Sequence, residues 1–452
     1  MKYKFKNKNV LVVGLGKSGI SSLEFLKRKG AFCFGYDDNI LALKETIKTL
    51  DINIVNNVEE SVVKMMDFVI ISPGVSIFSE VVKLAKIYGI KVLGELELGL
   101  EFTKGKKILI TGTNGKTTTC SLVAEILKTA SKPYVLCGNI GEPLTENLMP
   151  FRTNYVVETS SFQLESSNRI KPDIAVITNL TSNHLNRHLT FENYKNAKFK
   201  IFENMSRQSK LILNYDDENL RSLKEQKVRP NLIWLSVNKE IEGYFVKDEI
   251  LYLKKGKSIK EIISLKNVKL VGKHNLFNIA VACVICKILK VKKSKMLMAI
   301  NGFLPLKHRL QFVKNVDGVD YVNDSKSTTP QSAITAINAF KKPLIIILGG
   351  SSKNTSFKLL AEKIKLAENI KLVVVQGETT NEIVSALNKV KFKDYIIADN
   401  MANALNIATE KSSTGDVVLL SPACASFDQF SNFEERGEKF IEYVEGLNEF
   451  EK

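Results

Sequence analysis

The sequence predicts an α/β protein of three domains, each a mostly parallel sheet covered by helices, and three observations predict it. The chain has 452 residues, more than one hydrophobic core ordinarily serves. Its apolar runs are short, rich in Val, Ile and Leu, and alternate with helical patterns in three successive blocks, the rhythm of strand–helix–strand units. Two of those blocks open with a strand that breaks at glycine and resumes as a helix. There, unpaired N–H groups and the helix dipole favour an anion.

The first block runs from "NVLVVGLGKSGISSLEFLKRKGAFCFGYDDN" through "DFVIISPGV". Within "GLGKSG", Gly14, Gly16 and Gly19 follow a strand and open a helix, and Asp37 and Asp38 close the next strand about 20 residues on, the dinucleotide-type fingerprint of a Rossmann-like domain. The geometry asks only for a diphosphate at the helix start and an acidic group near a ribose or base, so any diphosphate nucleotide satisfies it.

The second block opens at "KKILITGTNGKTTT" and continues with the strands "NYVVETSS", "DIAVITNL" and "KLILNYDD". Its loop is a shortened P-loop: Ile110 stands where the usual pattern has its first glycine, leaving Gly112, Thr113, Asn114 and then Gly115, Lys116 and Thr117. Lys116 is placed to reach terminal phosphate oxygens, and the Thr117 or Thr118 hydroxyl to sit near magnesium. A hard dication takes oxygen donors beside substrate phosphates. Glu158, at the end of "VVE" and followed by Thr159, Ser160 and Ser161, is a candidate, as are Asn179, His184 and His188 in "ITNLTSNHLNRH". All four histidines, His274 and His308 included, fall in such polar stretches. Residues 231–265 read as short alternating runs suited to a small antiparallel ribbon.

The third block holds "YVND", "PLIIILGG", "KLVVVQG" and "DVVLLSPA". Domain boundaries are expected near residues 104 and 306, giving domains 1–103, 104–305 and 306–452. With 44% hydrophobic and 25% charged residues the composition is that of a soluble globular protein. No apolar run approaches the roughly 20 residues of a membrane span, and "MKYKFKNKNVLVVGLG" reads as a first strand rather than a secretory leader. Six scattered cysteines suit a reducing cytosol, so a cytoplasmic location is expected. The CxxC of Cys283 and Cys286 lies inside the apolar "NIAVACVICKIL" and reads as helix packing. The net charge of +17 is mostly lysine spread along the chain without a basic tail. That pattern argues against a nucleic-acid partner while raising the local potential for anionic substrates.

Together "GTNGKTT", "ETSSFQLE", "NLTSNHLNRH", "YKNAKFKIF", "GKHNLFNIA", "HRLQFV", "NDSKST" and "LSPACASFDQFSNFEERG" resemble the Mur ligases of peptidoglycan synthesis, in order and over nearly the whole chain. The resemblance implies a Rossmann-like N-terminal domain, a central P-loop domain and a Rossmann-like C-terminal domain. It implies a monomeric, ATP- and Mg2+-dependent amide-bond ligase working through an acyl phosphate. Its motifs point to the branch that adds D-glutamate to UDP-MurNAc-L-Ala, with both substrates small molecules and no membrane insertion. The first fingerprint then holds UDP, through Gly14, Gly16, Lys17, Ser18 and Asp37, with Ser72 of "ISPGV" and Asn139 of "CGNIGEP" as further contacts. Glu158 and His184 match the family's metal ligands, together with Thr117. Lys198 matches a lysine the family carbamylates, which turns a cation unable to ligate metal into two anionic oxygens. Asn275 and Asn278 match adenine-side contacts, and His308, Arg309, Asp324 and Lys326 match ATP and interdomain contacts. Thr328, Lys353, Ser426 and Phe433 match the D-glutamate pocket. The chain departs from the family at Asn183 and Asn186, where aspartates are usual, and so carries less negative charge beside the expected metal.

Three alternatives stay open on sequence alone: a sister ligase adding another amino acid, a non-catalytic nucleotide-binding protein, and an NAD-dependent oxidoreductase. The last leaves "GTNGKTTT" unexplained and predicts that NADH, not ATP, raises the melting temperature.

Overall fold

A computed structural model of the chain describes residues 3–38, 52–225, 228–270, 272–304, 307–352 and 355–447. Among these residues the strands form three sheets. One compact unit runs to Val268 and takes in Asn275–Phe303, and the other takes Lys269–His274 and runs on from Leu304. The first unit carries two sheets and the second carries the third.

The first sheet is wholly parallel, with β1 (Asn9–Val13), β2 (Phe32–Tyr36), β3 (Asn53–Ile54), β4 (Phe68–Ile71) and β5 (Lys91–Gly94) in the order β3-β2-β1-β4-β5. Val10, Leu11 and Val12 are fully buried, as expected of a strand covered by helices on both faces. Because β1 has neighbours reached in opposite directions, the crevice at its carboxyl end is the switch point where such sheets bind ligands.

The central sheet contains β6 (Gly105–Thr111), β7 (Tyr134–Gly138), β8 (Thr153–Glu158), β9 (Ile174–Ile177), β10 (Lys210–Asn214) and β11 (Asn231–Ser236). It continues through β12 (Gly243–Lys247), β13 (Ile250–Lys255) and β14 (Ser258–Ser264), in the order β14-β13-β12-β11-β10-β9-β6-β8-β7. The register sets Ile110 beside Glu158 on one side and Val176 on the other. The carboxyl ends of β6, β8 and β9 therefore meet along one edge. The expected ribbon is present as β12–β14, but β11 is a parallel neighbour of β10 and carries the sheet into the ribbon through a parallel pairing with β12.

The third sheet has β15 (Gln311–Val316), β16 (Val319–Asn323), β17 (Leu344–Gly349), β18 (Ile370–Gln376), β19 (Tyr395–Ile397) and β20 (Val417–Leu420), ordered β15-β16-β20-β17-β18-β19. Only the β15–β16 pairing is antiparallel. The fold is thus α/β with parallel-rich sheets. Cys283 and Cys286 lie buried and free on the helix Lys273–Ile288, as their apolar setting implies.

Candidate active site

The phosphate loop joins β6 to the helix Lys116–Thr129. Two glycines are needed there for different reasons. Gly115 caps the helix at φ +84 with a Cβ position 2.5 Å from Asn278 Oδ1, and Gly112 sits at φ +143 with its Cβ position 1.9 Å from Thr178 Oγ1. The loop is tied to the end of β9 by Thr113 N donating to Asn179 O at 2.9 Å, Asn114 N to Asn179 Oδ1 at 2.9 Å and Thr178 Oγ1 to Asn114 O at 2.6 Å. Lys116 Nζ folds back over it and donates to Gly112 O at 2.9 Å and Thr113 O at 2.8 Å. Asn278 backs the loop, accepting from Thr119 Oγ1 at 3.3 Å and donating to Asn275 Oδ1 at 3.3 Å.

Lys198 comes to the same place from the helix Phe191–Glu203, which Thr190 caps by accepting from Asn193 N. Its Nζ donates to Gly112 O at 2.9 Å and Thr111 Oγ1 at 3.1 Å, and lies 4.9 Å from the centre of the Tyr194 ring. Burial, reinforced by the Lys116 ammonium, holds this amine well below the ordinary lysine range, against the pull of Glu158. Glu158, 2% exposed, takes Asn139 Nδ2 on Oε1 at 2.8 Å. The structure therefore brings Lys116, Lys198, Glu158, Asn139 and Asn278 around the loop. His184 lies on the segment after β9, exposed, at φ +54, with its ring 4.9 Å from that of Phe162. His188 is buried and pairs with Ser161 Oγ at 3.0 Å, and burial lowers its imidazole.

The fit of a magnesium ion can be judged from the donors present. Among the described residues no group of three His, Cys, Asp or Glu side chains could hold a metal. Two buried oxygens, Glu158 Oε2 and Thr118 Oγ1, have no hydrogen-bond partner. A hard, partly hydrated cation bound alongside phosphate needs few protein oxygens, and these two match it. Of the two candidate threonines, Thr118 has its hydroxyl buried without a partner.

A second candidate ligand region is a cavity of about 830 Å³ at the carboxyl end of β1 and β4, lined among others by Gly14, Lys17, Asp37, Ser72, Asn139 and Gln163. Gly16 and Ser18 line it too. Gly14 is pinned by Ser72 Oγ donating to Gly14 O at 2.6 Å, and Asp37 Oδ2 accepts Leu15 N at 2.6 Å, so the carboxylate braces the glycine loop. Lys17 pairs with Glu142 at 2.7 Å. Gln163 is set by a capping box on the helix Ser161–Glu165: Ser160 Oγ accepts Gln163 N and Gln163 Oε1 accepts Ser160 N.

In the other unit Asp324 is 2% exposed, and its carboxylate accepts from Ser327 Oγ at 2.5 Å, Ser421 Oγ at 2.8 Å and Leu310 N at 3.2 Å. Burial pushes it up to about 6. The side chain expected to face ATP is here an internal knot between the ends of β16 and β20. Lys326 Nζ lies 5.5 Å from the Phe433 ring centre, and its N–H donates to His308 O at 3.0 Å. Thr328 and Arg309 are partly exposed, and Ser426 is 2% exposed. Lys353 lies outside the described residues.

Two residues escaped the reading of the sequence. Tyr194 shares a hydrogen bond of 2.9 Å with Thr113 Oγ1 and supplies the ring beside Lys198; its i,i+4 spacing from Lys198 in "YKNAK" was the available signal. Arg187 joins Glu165 at 2.9 Å to the carbonyls of Gly74 and Val75, both at 2.8 Å, linking the cavity wall to the loop that carries His184.

A parallel α/β chain with a phosphate loop, a buried low-pKa lysine beside it and a separate nucleotide-sized cleft defines a class, and the chain belongs to the Mur ligase family. Family models match as the Mur ligase MurD-like N-terminal domain at residues 8–94, the Mur ligase middle domain at 110–286 and the Mur ligase glutamate ligase domain at 308–424. Within that class, a protein of Caldicellulosiruptor bescii named UDP-N-acetylmuramoylalanine--D-glutamate ligase is 39% identical, covering 98% of each chain. One of Koribacter versatilis with the same name is 39% identical over 99% of each chain. Among solved structures, MurF ligase of Thermotoga maritima in complex with ADP aligns with a TM-score of 0.60 at 18% identity, covering 98% of this chain and 96% of that one. UDP-N-acetylmuramate-alanine ligase MurC of the same organism aligns with a TM-score of 0.57 at 18% identity, covering 97% and 99%. These two establish the fold.

Proposed function

We propose that the chain is an ATP-dependent ligase that adds D-glutamate to UDP-N-acetylmuramoyl-L-alanine in peptidoglycan precursor synthesis. The observation that carries this reading is the meeting of Lys116, Lys198 and Glu158 at the phosphate loop, in a chain 39% identical over its length to proteins bearing that name. A carboxylate is a poor electrophile, so the L-alanine carboxyl is first converted to an acyl phosphate by the γ-phosphoryl group of ATP. The D-glutamate amine then attacks the acyl carbon, and phosphate leaves from the tetrahedral intermediate. Lys116 exchanges its two loop carbonyls for phosphoryl oxygens and neutralises the charge that develops there. Magnesium, when bound, supplies further neutralisation of phosphate oxygens; Glu158 and Thr118 would hold it, with Thr117, His184 and a carbamylated Lys198 as the other proposed donors. Lys198 is suited to carbamylation because burial and the neighbouring Lys116 ammonium disfavour its charged form, and the neutral amine is the form that adds to CO2, losing its proton as the carbamate forms. Asn139 steadies Glu158, and the cleft at β1 and β4 takes the UDP end of the precursor. Thr328, Lys353, Ser426 and Phe433 are proposed to receive D-glutamate, and Asn275, Arg309 and Lys326 to contact ATP.

The test is phosphate release from ATP, magnesium and UDP-MurNAc-L-Ala with single amino acids added in turn. D-glutamate should stimulate release above every other amino acid. Equal release with L-glutamate, L-alanine or a diamino acid overturns the assigned substrate.

A further inference from the structure

Arg436 lies in the helix Phe433–Glu445 and is 1% exposed. Its guanidinium donates from Nε to Ser325 Oγ at 2.9 Å and from Nη2 to Ser325 O at 2.8 Å and Cys424 O at 3.1 Å. Nη1 donates to Ala425 O at 3.0 Å. None of these acceptors is a carboxylate. Burial lowers the group to about 10, with Asp428 among the influences opposing that shift, so it stays charged at neutral pH. A buried cation without a bonded counter-ion is an expensive way to pack a core, since an apolar side chain of similar volume would serve stability as well or better. The sequence around it is nevertheless built to admit it. At Gly350, φ +149, an added Cβ would lie 2.1 Å from Ala425 O and 3.1 Å from Arg436 Nη1.

The bonded segments are those that carry two of the proposed D-glutamate contacts. Ser325 leads to Thr328, and Ser325 Oγ itself donates to Phe433 O at 2.9 Å. Cys424 and Ala425 lead to Ser426. A trans peptide is planar, so turning Ala425 C=O toward Arg436 turns the Ser426 N–H to the opposite side. Among the described residues no hydrogen bond uses that N–H or the Ser426 hydroxyl, although Ser426 is 2% exposed. The hydroxyl is not among the buried oxygens left without a partner, so a small molecule can reach it, and an N–H and an O–H on one residue at such a point suit a carboxylate oxygen.

We infer that Arg436 is a positioning residue for the acidic amino-acid substrate: it sets the Ala425–Ser426 peptide so that Ser426 receives a carboxylate, and it supplies a buried positive charge behind that peptide. The inference rests on the function proposed above and deepens it. The guanidinium does not touch the substrate, and its effect passes through the two loops it joins.

The experiment measures kcat and KM for all three substrates in Arg436→Lys, Arg436→Gln and Ser325→Ala, with thermal melts to confirm folding. Arg436→Lys keeps the charge and loses the fork, whereas Arg436→Gln loses both. KM for D-glutamate should rise tenfold or more in each, further in Arg436→Gln, while KM for ATP and for UDP-MurNAc-L-Ala stays within twofold. A folded Arg436 variant whose D-glutamate KM stays within twofold, or in which all three KM values rise together, overturns the inference. If neither Arg436 variant folds, Ser325→Ala decides: it removes one of the four bonds, and a threefold or larger rise confined to D-glutamate supports the role, while unchanged constants overturn it. Wild type read alone separates the two levels. A wild type that takes no acidic amino acid overturns the function together with this inference, and one that takes D-glutamate while the variants match it overturns the inference only.

Discussion

Lys198 is fully enclosed, hydrogen-bonded among the described residues only to Gly112 O and Thr111 Oγ1, and lies within electrostatic reach of a second lysine. A surface lysine loses little when removed; one buried beside a phosphate loop, with its pKa held well below the ordinary lysine range, is a candidate for a chemical task. Lys198→Ala should therefore lose almost all turnover and recover part of it with added formate or acetate, whose oxygens substitute for those of a carbamate. Full activity of the alanine variant would refute the role. Lys116 calls for a different measurement. Its ammonium makes two loop bonds that it can trade for phosphate oxygens, and a charge-assisted hydrogen bond contributes about 1.5–3 kcal/mol. Lys116→Ala should reduce kcat by at least a hundredfold while UDP-MurNAc-L-Ala, proposed to bind at the β1 cleft, keeps its Kd within about twofold by calorimetry. Lys116 was legible because glycine, lysine and threonine after an apolar strand form a motif with a mechanism. Lys198 was legible only through the resemblance, because a lone lysine in a helix carries no signal of burial. Tyr194 was missed because a tyrosine at i,i+4 from a lysine is an ordinary helix pair until the structure closes the loop over it.

Between residue and fold stand the strand ends and the turns that follow them. Gly112 leaves β6 at φ +143 with its Cβ position 1.9 Å from the Thr178 hydroxyl and 3.0 Å from the Thr178 backbone N. Gly112→Ala meets both a forbidden backbone region and a wall, which costs about 1–3 kcal/mol or more. It should lower the melting temperature and raise KM for ATP at least tenfold; an unchanged ATP KM would mean the loop relaxes freely. At the end of β16, Asp324 gives a pH prediction. Its folded value of about 6 lies above the model-peptide value of 3.8, so the folded state holds its proton over that interval. The stabilisation is present below about 3.8 and lost as pH rises through 6, on the order of 3 kcal/mol in all. Asp324→Asn, which stays neutral, should remove that decline, so wild type and variant melts should diverge between about pH 4 and 7. Parallel curves would show the carboxyl to be ionised throughout. The strands bearing these turns were legible where they are long and fully buried, as in Leu344–Gly349. β3, with two residues, and β19, with three, fell below any periodic signal. β11 was misplaced in the ribbon because its pairing with β10 is set by neighbours distant in sequence, which alternation within 231–265 does not encode.

At the scale of the whole molecule the most distinctive quantity is the charge of +17, from 65 Lys and Arg against 48 Asp and Glu. The cleft proposed for the precursor does not share it locally. Of its charged lining residues, Lys17 is already paired with Glu142, while Asp37, Asp38 and Glu80 are acidic. A precursor bearing a diphosphate and a carboxylate therefore finds little net attraction at the rim, and any steering must come from lysines distributed over the surface. Such a long-range field acts on encounter rather than on the bound state. It is also screened: the Debye length falls from about 30 Å at 0.01 M to about 3 Å at 1 M ionic strength. The association rate constant of UDP-MurNAc-L-Ala, measured by stopped flow, should accordingly fall several-fold as NaCl is raised from about 10 mM to about 500 mM, with the dissociation rate constant changing less than twofold. Lys17→Ala should show the same salt slope as wild type, because the field belongs to the whole surface. An association rate independent of salt would mean that the excess lysine serves solubility alone, and a slope abolished by Lys17→Ala would relocate the steering charge to the rim.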